Sequence, residues 1–215
     1  MDLRPLGDAA FILRNLGETP AHLVARAISA QNRPGILDVN SAFRTVGIYV
    51  DPLLITESQI VDLLEDLSFE EAVPARLHDI ACCYEMGEDL AEVATQMGLP
   101  ASRVVELHSS VTYRCEAIGF SPGFPYLGTT PEPFWNIGRL AEPRLAVPAG
   151  SVAIAGRQAA VYPSSTPGGW RILGRTPLCL VDVADDYFPI AAGDEVRFVP
   201  ISATEFESRQ GQRLG

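Results

Sequence analysis

Apolar and polar positions follow two rhythms along this chain, and the change falls near residue 78. In the first stretch, residues 7–14, 35–40 and 43–51 read as strands. In the third of these, Phe43, Thr45, Gly47 and Tyr49 alternate with Arg44, Val46, Ile48 and Val50, the period of a strand with two unlike faces. Residues 20–31 carry Leu23, Val24, Ala27 and Ile28 at helical spacing, with Pro20 suited to the first turn. Thr56-Glu57-Ser58-Gln59 is a capping-box pattern that opens a second helix carrying Ile60, Val61, Leu63, Leu64 and Leu67. The order β-α-β-β-α predicts a small α+β domain over residues 1–77, with residues 68–77 as its linker.

From residue 78 the elements are shorter. A strand over 78–84 precedes two short helices at 88–97 and 101–109. Strands punctuated by Gly and Pro follow at 111–120, 144–150, 151–156, 159–163, 169–176, 178–183 and 195–200. Short strands at this spacing predict a closed or nearly closed antiparallel β-barrel over residues 78–215. The tail, residues 207–215, is expected to fray.

Charge and residue choice narrow the chemistry. The formal net charge is −11, which argues against nucleic-acid binding by phosphate neutralisation. All 16 basic residues are Arg, so the chain can supply no Schiff-base, biotin-bearing or P-loop lysine. No apolar run approaches the ~20 residues of a membrane span, and residues 1–11 do not read as a secretory signal, so a cytoplasmic protein is expected. Cys82, Cys83, Cys115 and Cys179 show no C-x-x-C spacing, and there are only three histidines, so no metal site is expected in this chain. The cysteines read as buried thiols.

Four segments invite a chemical reading. Gly119-Phe120-Ser121-Pro122-Gly123 fits the nucleophile-elbow pattern, but Pro122 lacks the N–H that an oxyanion needs there, and Gly123-Phe124-Pro125 does not open a helix. Residues 89–108 resemble a helix-turn-helix, yet the second helix offers Glu106 beside Arg103, so a plain helical hairpin is the better reading. Residues 119–128 concentrate Phe120, Phe124 and Tyr126 among prolines and glycines. Such a stiff loop either presents aromatic faces to a planar ligand or plugs its own core. In the segments 147–152 and 162–170, Gly150, Gly168 and Gly169 either free backbone N–H groups for an anion or make tight turns.

At these segments the chain resembles the family of bacterial 5-oxoprolinase B subunits, also called the KipI or allophanate-hydrolase-subunit-1 family. The resemblance rests on Leu107-His108-Ser109-Ser110, Gly119 to Gly128, Ala141-Glu142-Pro143-Arg144 and Pro148-Ala149-Gly150-Ser151-Val152. It continues through Tyr162-Pro163, Thr166-Pro167-Gly168-Gly169-Trp170, Gly174-Arg175-Thr176, Gly193-Asp194 and Val196 to Pro200. It implies an α+β domain followed by a cyclophilin-like β-barrel. It also implies two partners, a homologous C subunit plus a separate A subunit, with ATP-dependent conversion of 5-oxoproline to glutamate. ATP would be bound mainly by a partner. Two alternatives go with the resemblance: a carboxyltransferase-type subunit of urea metabolism working with biotin, and an inhibitor of a histidine kinase. Family members commonly carry Thr-Gly where this chain has Ala159-Ala160.

The candidate site follows from residue chemistry and the resemblance together. His108 is the candidate proton-transfer residue. Gln158 offers amide donors, and Arg175 offers a carboxylate clamp. Phe120, Pro122, Gly123, Phe124, Tyr126, Gly150, Ser151, Pro167, Gly168, Gly169 and Trp170 are the candidate walls for a small amide substrate. The segments 119–128 and 167–170 are expected to lie side by side.

Overall fold

The structure, a computed structural model, describes residues 1–68 and 74–215. The chain divides into two compact units, Met1–Pro74 and Ala75–Gly215. Residues 69–73 of the expected linker lie outside the described residues.

The first unit contains β1 (Asp2–Pro5), β2 (Ala10–Arg14), α1 (Ala21–Ala30), β3 (Ile36–Ala42), β4 (Thr45–Val50) and α2 (Glu57–Glu65). The strand expected over 7–14 forms as β2, and a further strand, β1, precedes it and pairs antiparallel with it from Asp2↔Arg14 to Pro5↔Phe11. β1 escaped the sequence reading because Pro5 argues against a strand. At a sheet edge, however, the missing N–H costs no ladder bond. Within this unit the strands run in the order β1-β2-β4-β3, all antiparallel. The apolar stripes of α1 and α2 close the core, burying Val24, Ile28 and Ile60 with Leu13, Val46 and Ile48. The capping box forms in both directions: Gln59 N–H donates to Thr56 Oγ1 at 3.5 Å, and Thr56 N–H donates to Gln59 Oε1 at 2.9 Å.

The second unit begins with β5 (Leu77–Cys82), α3 (Leu90–Met97) and α4 (Ala101–Ser109). Strands β6 (Thr112–Ile118), β7 (Pro125–Gly128), β8 (Arg144–Val147), β9 (Ser151–Ala155) and β10 (Gln158–Val161) follow. The unit ends with β11 (Thr166–Gly168), β12 (Arg171–Arg175), β13 (Glu195–Pro200) and α5 (Ala203–Arg209). Strand neighbours run β5-β13-β6-β7-β10-β9-β12, parallel only at β5/β13, while β8 and β11 form a separate two-stranded ladder. Cys83 and Arg175 exchange two backbone hydrogen bonds, 2.8 and 3.0 Å, linking the end of β12 to the residue after β5. Ile80, Tyr113, Leu127, Ile154, Val161, Leu173 and Phe198 fill the core. The helical hairpin packs Val93 and Val104 into it. All four cysteines are free thiols: Cys82, Cys83 and Cys115 are buried and Cys179 is half-buried.

Two expectations are corrected. Residues 178–183 form no strand; isolated bridges pair Cys179 with Arg213 and Asp182 with Tyr187. Their apolar residues serve packing rather than a ladder, with Leu178 and Leu180 buried in the core. The tail is held down: α5 covers residues 203–209, Leu214 is buried, and its carbonyl accepts from the Tyr187 hydroxyl at 2.6 Å.

Thr56→Ala removes one capping bond and is expected to cost about 1 kcal/mol, against about 2–5 kcal/mol for Ile60→Ala. Urea unfolding of both variants checks the ranking, and an equal loss would mean that the cap carries more than its hydrogen bond.

Candidate functional site

The loop between β6 and β7 folds as a tight turn. Gly119 N–H donates to Phe124 O at 3.1 Å, and Phe124 N–H donates to Ser121 O at 3.0 Å. Phe120 takes φ +70°, a left-handed conformation that costs energy for a residue with a Cβ. Gly123, at φ +68°, has no room for a side chain, because a Cβ would lie 2.2 Å from Val181 Cγ2. This turn throws Phe120 outward, 62% exposed, and drives Phe124 inward to 2%.

Phe124 is the hub of a second apolar cluster with Val147, Ala153, Ala160, Tyr162, Trp170 and Ile172. Its ring meets Tyr126 and Tyr162 edge-on at 5.1 Å, Phe120 at 5.2 Å and Trp170 at 5.9 Å. The loop 119–128 and the segment 162–170 therefore share one face. Gly168 is required there, since a Cβ would sit 2.4 Å from the Tyr162 hydroxyl. Pro122 and Pro167 stand exposed at the rim. Gly169 holds the flanking loop, its carbonyl accepting from Leu140 N–H at 2.7 Å.

Register places Gln158 on this face. It is paired with Gly128, as Ala160 is with Tyr126, and cross-strand partners project to the same side. Glu116 joins them. It is the extra residue of a bulge between Cys115 and Ala117, and its Cγ covers the bare Cα side of Gly128, 3.2 Å from where a Cβ would be. Burial raises the Glu116 carboxyl above its ordinary value, partly offset by Arg114. Arg139 completes the group, its guanidinium 5.9 Å over the Trp170 ring and, among the described residues, without an ion pair. Burial also raises the Tyr162 hydroxyl, against the pull of the Trp170 backbone and of Arg139. Aromatic walls, one amide, one half-buried carboxyl and one free cation thus meet on one sheet face. Such a set can stack a flat ring, hold a carboxylate and move a proton.

Four expected members are elsewhere. His108 has no exposed surface: it lies among Phe198, Tyr113, Tyr84 and Phe134 at centroid distances of 4.6, 5.6, 5.7 and 6.3 Å. Its Nδ1 is 2.7 Å from the Tyr84 hydroxyl. Burial holds the Tyr84 phenol protonated, so the hydroxyl donates, and burial drops the His108 imidazole to about 3. A neutral, enclosed imidazole cannot meet a substrate, so His108 belongs to the core. Arg175 donates to Ala149 O at 3.2 Å and lies over Phe206, away from the aromatic hub. Gly150 has its N–H engaged by Tyr162 O at 2.7 Å, and the Ser151 hydroxyl donates to Pro148 O at 2.7 Å, so neither is free for a ligand. Ser121 Oγ is buried without a partner, and the strand after it excludes a nucleophile elbow. Glu116 and Arg139 were missed because a bulge residue and a loop arginine leave no periodic mark. Among the described residues, no group of three or more His, Cys, Asp or Glu could hold a metal.

Residues 1–189 match the family model described as carboxyltransferase domain, subdomain C and D. The chain is 33% identical to the B subunit of 5-oxoprolinase from Bacillus subtilis (strain 168), over 96% of this chain and 95% of that protein. It belongs to the family of 5-oxoprolinase B subunits. To the 5-oxoprolinase B subunit from Escherichia coli O157:H7 it is 56% identical over 115 residues, 53% of this chain and 52% of that one. The solved structure of TTHA0988 superposes with a TM-score of 0.81 at 35% identity, covering 90% of this chain. This member of the B-subunit family spans only 40% of that solved chain.

The buried imidazole sets a pH dependence. His108 takes up a proton near its ordinary value of 6.5 when unfolded but only near about 3 when folded. Between those values the unfolded chain binds more protons, so stability falls as pH drops below about 6.5. From about pH 7 to pH 4.5, denaturation midpoints should therefore fall less steeply in His108→Gln than in the native chain. Equal slopes would show that His108 is solvated.

Proposed function

We propose that this chain is the B subunit of an ATP-dependent 5-oxoprolinase, a cytoplasmic hydrolase complex whose machinery is completed by separate A and C subunits, the latter homologous to this one. The observation that carries this reading is the near-full-length match to a 5-oxoprolinase B subunit. The site chemistry supports it. 5-Oxoproline is a flat lactam with one carboxylate. The aromatic face offers a stacking surface in exposed Phe120 and half-buried Tyr126, backed by the buried Trp170, with Arg139 a clamp for the carboxylate and Gln158 amide donors for the lactam. Glu116, protonated more readily than an ordinary glutamate, is placed to shuttle a proton during ring opening. Activation by ATP would fall to a partner, because this chain has neither a lysine nor a phosphate-cradling loop.

The two units are read as two domains. The exchange of hydrogen bonds between Cys83 and Arg175 supports a cyclophilin-like barrel for the second, since it returns the last strand of the path towards the first. Among the described residues, no helix is long and apolar enough to cross a membrane.

The test is glutamate release from 5-oxoproline with ATP. The isolated chain should release none, and addition of the cognate A and C subunits should restore turnover. In the assembled complex, Glu116→Gln should cut turnover about ten- to a thousandfold, while Ser121→Ala should stay within about threefold of the parent. Phe120→Ala, at the exposed aromatic of this face, should raise KM more than it lowers kcat. Robust turnover by the isolated chain would sink the multi-subunit reading, and full turnover by Glu116→Gln would return Glu116 to a structural role.

A further inference from the structure

The turn that carries Phe120 is backed, through one small hairpin, by residues 211–214 of the tail. Phe120 sits at φ +70°, a conformation that a residue with a Cβ keeps only when its surroundings impose it. Two apolar side chains press on the turn from behind: a Cβ at Gly123 would meet Val181 Cγ2 at 2.2 Å and Phe188 Cδ1 at 3.3 Å. Val181 and Phe188 are the residues on either side of a hairpin over 182–187. Asp182 N–H donates to Tyr187 O at 3.0 Å, and Tyr187 N–H donates to Asp182 O at 2.8 Å. The base of this hairpin is therefore the seat of the aromatic turn.

The hairpin has little to hold it by itself. Residues 183–186 are exposed, Asp186 takes φ +50°, and an isolated hairpin is marginal in water. Its anchor is the segment 211–214. Arg213 Nη2 donates to Asp182 Oδ2 at 3.1 Å and to Asp185 Oδ2, and its guanidinium lies 4.7 Å over the Tyr187 ring. The Tyr187 hydroxyl donates to Leu214 O at 2.6 Å. The same segment is tied to the body of the unit. Gly211 N–H donates to Pro177 O at 2.9 Å, Cys179 N–H donates to Gln212 O at 2.8 Å, and the Leu214 side chain is buried in the core.

From this line of contacts, running from the tail to the hairpin, to Gly123 and to Phe120, we propose that Arg213 is a positioning residue for the candidate site. With Tyr187 it holds the hairpin on which the aromatic turn is seated, and so sets the place of the exposed Phe120 ring. Arg213 acts only through Val181 and Phe188. Exposed ion pairs add little to global stability, so their loss should show at the turn and not in the unfolding of the unit. The effect on catalysis rests on the function proposed above, because there Phe120 stacks on 5-oxoproline. The coupling of tail to turn does not.

The full chain carrying Arg213→Ala with Tyr187→Phe tests this, since it strips the side-chain anchor and leaves the backbone bonds. Hydrogen exchange over residues 119–124, read by mass spectrometry, should speed up about tenfold, with the melting temperature kept. Arg213→Lys should keep native exchange there, because one nitrogen, Nη2, makes both carboxylate contacts. Arg103→Ala, which breaks an exposed ion pair with Glu106 on α4, should also leave it native. In the assembled complex the double variant should raise KM for 5-oxoproline about three- to tenfold and leave kcat within about twofold. Native exchange over 119–124 in the double variant overturns the proposal, as does faster exchange with KM unchanged. So does faster exchange across the whole unit with a lower melting temperature, which would make Arg213 a general stabiliser. A native complex that does not turn over 5-oxoproline would sink the function proposed above, and exchange would still decide the coupling.

Discussion

The aromatic face depends on one buried carboxylate, Asp89. Its backbone N–H donates to Ile172 O at 2.9 Å, while its Oδ2 accepts from Ile172 N–H at 2.7 Å. Its Oδ1 takes Arg144 Nη2 at 2.7 Å, and Glu88 holds the same guanidinium at 3.3 Å. Three segments meet here: the start of α3, β8 and β12. The hydrogen bond to Asp89 raises the Arg144 guanidinium further above its already high range, so this cation stays charged at any ordinary pH. Removing the carboxylate would leave a backbone N–H without a partner and a partly buried cation with Glu88 alone, and such losses cost more than the bonds contribute when made. Ile172 and Val147 lie in one cluster with Phe124 and Trp170, so the position of the aromatic rings is inherited from this clamp.

Much of the architecture could be read from periodicity. α1, α2, α3 and α4 fall within a residue or two of their expected places, because amphipathic spacing, Pro20, the Thr56 box and the turn at Gly98 are local signals. The failures share a physical cause. Leu178 and Leu214 depend on partners far along the chain and Pro5 on its place at a sheet edge, and nothing local distinguishes an edge strand, a buried loop or a docked tail. The same holds at the candidate site. Phe124, Tyr126 and Trp170 announced themselves as costly aromatics among stiffening residues. His108 was misread because its burial is set by Tyr84, Tyr113, Phe134 and Phe198, which come from separate elements.

Glu116 shows how a backbone irregularity makes chemistry. In a regular strand its side chain would alternate with Cys115 and Ala117 and face a fixed neighbour. The bulge turns it over Gly128 instead, where the absence of a Cβ leaves space for a carboxyl to be partly withdrawn from water. Arg114 works against the desolvation. A titratable group that is half-withdrawn and still reachable suits proton transfer better than the enclosed imidazole of His108.

The distribution of thiols has a practical consequence. Burial pushes the Cys82 thiol up and the Cys115 thiol up to about 12, and Cys83 is equally enclosed. Cys179 alone has surface to offer, and its backbone is bonded to Gln212 and Leu214. A maleimide dye should therefore attach to the unmutated protein at one position, beside the docked tail. Its fluorescence would report directly on whether that tail holds or lets go.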